Sequence, residues 1–109
     1  MTRLKKVQLK GSKFSLTRES DGAGDSGCMW LNIDVQESLI QEKYVFVGNP
    51  GEVRAGCAVR CGSTTARTMQ WQDWWQTTEI LEILDVNKEK TECRFKTRNS
   101  IYIARGSND

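Results

Sequence analysis

The sequence predicts a mainly β protein: a small single-domain meander, or a partly open barrel or sandwich, of about six or seven short strands with one short helical turn. Three observations predict it. Short runs of alternating or β-branched residues recur along the 109 residues, turn-forming Gly, Asn, Asp and Ser separate them, and 38% apolar content fills one modest core but not two. One domain over residues 1–109 is therefore expected.

Taken in order, Arg3 to Lys10 alternates imperfectly, and Gly11-Ser12 breaks it before Phe14-Ser15-Leu16-Thr17, giving two short strands. Glu19 to Gly27 is Asp, Gly and Ser with Ala23 as its one apolar residue, so residues 19–27 are expected to form a flexible loop. Cys28 to Val35 reads as a strand with Met29, Leu31 and Ile33 on one face and Trp30, Asn32 and Asp34 on the other. Lys43 to Gly48 is dense in β-branched and aromatic residues and closes on Asn49-Pro50-Gly51, the strongest strand signal in the chain; residues 36–42 before it form a short helical turn or a connection.

Val53 to Arg67 mixes Gly56, Gly62, two cysteines and the Ser63-Thr64-Thr65 run, and assigns itself to no element. Trp71, Trp74 and Trp75 stand at i, i+3 and i+4, the spacing of one face of a helical turn. Thr77 to Val86 satisfies helix and strand alike, but the polar Asn87 to Lys90 loop and the clean alternation of Thr91 to Thr97 make residues 77–97 a hairpin. Its second strand should turn Cys93 and Phe95 inward and Arg94 and Lys96 outward. Arg98-Asn99-Ser100 then turns into a last strand from Ile101 to Ala104.

The stretches Trp75 to Ile83 and Phe95 to Ile103, the second carrying T-x-N-S-x-Y, resemble the ending of small uncharacterised β-rich proteins of phages and mobile elements. The resemblance covers about the C-terminal third of the chain. It implies a β fold and a phage origin, and it transfers no activity and no site residues.

Composition argues against catalysis. The chain has no histidine, which removes the commonest general base, metal ligand and activator of a Ser or Cys nucleophile. Cys28, Cys57, Cys61 and Cys93 are irregularly spaced, and Cys57 and Cys61 form C-x-x-x-C rather than the C-x-x-C pair that zinc prefers, so free thiols and no metal are expected. Gly22 to Gly27 matches G-x-G-x-x-G, but a strand-like segment follows it instead of a helix, and Asp25 would face a phosphate. The same stretch lacks the acidic spacing of a calcium loop. No cofactor is called for.

Net charge is only +2 but unevenly spread: residues 1–18 hold six basic and no acidic side chains, residues 19–87 four basic and eleven acidic, and residues 88–109 six basic and three acidic. Basic ends brought onto one sheet would favour an anionic partner; equally, such charges solvate outward strand faces. The tryptophan cluster follows a basic, hydroxyl-rich segment, which suggests a stacking platform beside phosphate donors. The ligand-binding candidates are Trp71, Trp74 and Trp75 for stacking, and Arg60, Arg67, Arg94, Lys96 and Arg98, with Arg54, for phosphates.

The expected function is that of a small non-enzymatic binding protein, phage-encoded and anti-defence if the resemblance holds, that sequesters an anionic nucleotide or binds nucleic acid. The alternatives are a protein-binding inhibitor of a bacterial defence complex and a self-assembling structural protein, in which case the chain is a homo-oligomer. Neither a span of apolar residues nor an export signal is visible, so a cytoplasmic protein is expected, in the host cytoplasm if phage-encoded, with no membrane partner.

Overall fold

Strand alternation places the core. In β2 (Lys13–Arg18), β10 (Glu92–Thr97) and β11 (Ile101–Ser107) every second side chain turns inward, burying Phe14, Leu16, Cys93, Phe95, Tyr102 and Ala104 on one face. These strands belong to a computed structural model that describes residues 5–62 and 75–108. With β3 (Gly24–Gly27) and β9 (Ile80–Val86) they make an antiparallel five-stranded sheet in the order β3-β2-β11-β10-β9. Its C-terminal half is a simple meander, and the N-terminal β2–β3 hairpin joins it by pairing with the last strand.

A second antiparallel sheet, β5-β4-β7-β8, is formed by β4 (Met29–Asp34), β5 (Phe46–Val47), β7 (Cys57–Gly62) and β8 (Trp75–Gln76). A third pair, β1 (Lys6–Gln8) with β6 (Glu52–Arg54), adds Val7 and Val53 to the core. The two larger sheets pack face to face: the Phe14 and Trp30 rings meet at 5.7 Å, and the Trp30 indole N–H donates to the Glu52 carbonyl at 3.0 Å. No closed barrel forms among the described residues. Among the described residues no helix is long and apolar enough to cross a membrane.

The mainly β class and the hairpin of residues 77–97 are as the sequence predicts, with Cys93 and Phe95 fully buried, Lys96 exposed and Arg94 on the outer face. Other expectations need correction. Eleven strands among the described residues replace the six or seven expected, because several two- and three-residue pieces pair separately. Residues 19–27 are not all loop: a turn follows Arg18, then Gly24–Gly27 pairs with β2 as an edge strand. Glycine permits this, since a Cβ at Gly24 would collide with the Leu16 carbonyl.

The strong signal at Lys43 to Gly48 yields only the two residues of β5. Its start is taken up in closing helix α1 (Val35–Gln41), where the Lys43 N–H donates to the Ser38 carbonyl at 3.2 Å, and Gly48 at φ 71° turns the chain away at the end. The helix settles residues 36–41 as helical, with Glu42 as its C-cap. Trp75 opens strand β8 opposite Cys61 instead of ending a helical turn, while Trp71, Trp74 and Arg67 lie outside the described residues.

Candidate functional site

The inward face of the five-stranded sheet runs Phe14, Leu16, Arg18 along β2. The first two are core, and the third emerges where the sandwich opens at its end. There Arg18 meets the opposite sheet: its guanidinium carbon lies 5.1 Å from the centroid of the Trp75 ring, within cation–π range. The Trp75 indole N–H donates to the Tyr102 hydroxyl at 3.2 Å, and the two rings stand edge to face with centroids 6.5 Å apart. Tyr102 is the strand partner of Arg18 and stacks in turn on Phe95 at 5.7 Å, so a chain of rings ties the site to the buried core.

These three side chains line a hollow of about 350 Å³, completed by Gln76, Thr78, Thr97, Asn99 and Ser100. Thr97 anchors the turn between β10 and β11, its N–H and hydroxyl both donating to the Ser100 carbonyl at 2.8 and 3.1 Å. A second hollow of about 430 Å³ shares Thr97, Asn99 and Ser100, and adds Lys96, Arg98, Glu19 and Ser20. The turn thus separates two concavities, one aromatic and one cationic. Both fall in the size range of small-molecule sites.

Charge at this end is largely paired. The Asp21 carboxylate accepts two bonds from Arg18 at 2.9 and 2.7 Å; this holds Asp21 down to about 2 and raises Arg18 further above its ordinary value. Arg94 donates to Glu19 at 2.6 Å and to Asp85 at 3.3 Å on the outer sheet face. Its hydrogen bond is the main reason that the Glu19 carboxyl sits below the usual range. Arg98 has a looser contact, 3.9 Å from Glu79, and is largely exposed.

The structure therefore gathers Trp75, Lys96 and Arg98 around the β10–β11 turn, but not the other described candidates. Strand alternation decides both cases. Arg60 follows the opposite parity to Cys61, which pairs with Trp75, and does not itself line the hollow. It is 2% exposed, bonded to Gln76 and lying 5.2 Å from the Tyr44 ring. Arg94 points outward into its two carboxylates, and Arg54 is paired with the buried Glu52 at 2.7 Å. Sequence reasoning missed Arg18, Tyr102, Asn99 and Ser100. The available signal was the T-x-N-S-x-Y pattern, whose Thr97, Asn99, Ser100 and Tyr102 all line the hollow, though it reads as turn chemistry alone.

The four cysteines are free thiols, Cys28 exposed and the others buried. Burial pushes Cys57 up to about 11 and Cys93 up to about 12, which keeps both protonated at neutral pH and makes them poor nucleophiles. Among the described residues no group of three or more Cys, Asp or Glu side chains could hold a metal ion. Comparison with family models, curated proteins and solved structures finds no match to this chain.

Proposed function

We propose that this chain is a non-enzymatic binding domain that takes an anionic nucleotide in the hollow at the open end of its sandwich. The observation that carries this reading is the convergence of Trp75, Tyr102 and Arg18 on one concavity beside a turn rich in hydroxyl and amide groups. The exposed part of the Trp75 ring offers a base a stacking surface with the buried Tyr102 behind it, Arg18 borders the same hollow, and Lys96 and Arg98 line the neighbouring one across the turn, within reach of an extended phosphate. Catalysis is disfavoured by the missing imidazole and by the raised thiols of Cys57 and Cys93.

A small ligand fits better than a long nucleic acid strand. In the basic ends of the chain Arg18, Arg94 and Arg105 each already face a carboxylate, with Arg105 and Glu92 at 2.7 Å, which subtracts from the charge those ends offer a polyanion. With the phage-like ending of the sequence, sequestration of a nucleotide signal is the role such a site would serve.

Calorimetric titration with purine and pyrimidine mono- and dinucleotides tests the reading. Trp75→Ala should weaken binding by ~10-fold or more, in line with the 1–3 kcal/mol that base stacking contributes. Arg98→Ala should weaken it at low salt and lower the salt slope by about 1. Equal affinity in Trp75→Ala, or no binding of any nucleotide at millimolar concentration, would contradict it.

A further inference from the structure

The second feature lies at the opposite edge of the four-stranded sheet from Trp75, where β5 is the outermost strand. Helix α1 precedes it and has no buried residue. Seven residues are too few for a helix to persist on propensity alone. Its ends are capped: Asp34 accepts from the Glu37 N–H at 3.0 Å, and Glu42 closes the other end in the left-handed region at φ 55°. Caps orient the helix, but packing has to hold it, and within one chain α1 has little.

Its apolar side chains are instead presented outward. Leu39 is 76% exposed, Ile40 67%, Tyr44 52% and Phe46 48%. The Tyr44 and Phe46 rings stack at 6.3 Å with an angle of 17° between their planes. The helix and the β5 approach are tied together at Ser38, whose hydroxyl accepts from the Val45 N–H at 2.9 Å. All four large side chains thus belong to one folded-back segment of eight residues, 39–46.

We propose that this segment forms a two-fold interface between two copies of the chain, independent of the nucleotide hollow. The area fits: with aromatic side chains carrying ~150–250 Å² each, the four exposed groups present roughly 400–500 Å² per copy. Doubled by a two-fold axis and extended by the rim, that reaches the ~1,000 Å² a specific interface needs. The rim can be self-complementary, since adjacent Glu42 and Lys43 carry opposite charges and a two-fold axis passing between them sets each against its opposite on the other copy. A purely acidic or basic rim would instead have favoured a partner of opposite charge.

Light scattering on the full chain at micromolar to submillimolar concentration tests this. The expected mass is that of two chains, with Ile40→Glu and Leu39→Glu each weakening association on the order of 100-fold while the circular dichroism spectrum is unchanged. Leu81→Glu, at an exposed apolar residue on β9, should leave the pair intact. A single-chain mass for the native sequence throughout, or a pair that survives both helix variants, overturns the proposal. Should the variants unfold, hydrogen exchange on the native chain decides: protection at residues 35–46 that rises with concentration supports the interface, and protection independent of concentration overturns it.

Discussion

Arg18 lies between partners of opposite character, the Trp75 ring on one side and the Asp21 carboxylate on the other. The carboxylate keeps the guanidinium in place, and it also subtracts from the charge the hollow offers an anion. Asp21 is held down to about 2, chiefly by its hydrogen bond from Arg18. A depressed carboxyl contributes stability above the unfolded value of about 3.9 and loses it as pH falls through about 2. Carbon NMR of the Asp21 carboxyl should therefore give a midpoint near 2, and Arg18→Ala should raise it toward the ordinary range, the Ala23 N–H still holding it somewhat below; an ordinary midpoint in the native chain would contradict the fork. Little of this was legible beforehand. Alternation along Phe14, Leu16 and Arg18 puts the arginine on the inward face, but its meeting with Trp75 depends on two sheets closing over residues far apart in sequence. The same alternation keeps Arg60 and Arg94 out of the lining of the hollow, a fact hidden until the strand limits are known.

In β9 the pattern that suggested a helix has a different cause. Its pairing with β10 slips twice, so that Leu84 and Leu81 are each extra residues opposite a single step of the partner strand. These bulges let Ile80, Ile83 and Val86 reach the core at intervals of three, a spacing that sequence alone cannot tell from helical periodicity. The downstream alternation of β10 was what made the hairpin legible. Bulges also disturb the exposed edge of the sheet, which discourages pairing with another chain. Ile80→Ala should cost about 2–4 kcal/mol in urea unfolding, whereas Leu81→Lys at the exposed bulge should change stability by under ~0.5 kcal/mol. Equal costs at the two positions would show the register to be wrong. At Gly24–Gly27 composition misled in the opposite direction: a glycine-rich run reads as loop, yet the missing side chains are what allow β3 to approach β2.

For the molecule as a whole, the mainly β class followed from short strands and frequent turns, while the pairing of β2 with β11 and the facing of the two sheets left no local signature. That closure buries Cys57, Cys61 and Cys93 and leaves Cys28 at the surface. A thiol reagent should thus modify one cysteine rapidly in the native protein and all four after unfolding; two or more fast thiols would mean the sandwich is looser than described. The same closure creates the hollow, because Arg18 and Tyr102 come from one sheet and Trp75 from the other. Ligand binding there should be felt by both sheets at once. The most direct measurement is a nitrogen–proton NMR titration of the native chain with the mononucleotide series. The expected result is saturable shifts centred on the Trp75 indole N–H and the amides from Thr97 to Tyr102; no shift at millimolar ligand, or shifts centred away from that end of the sandwich, would contradict the site.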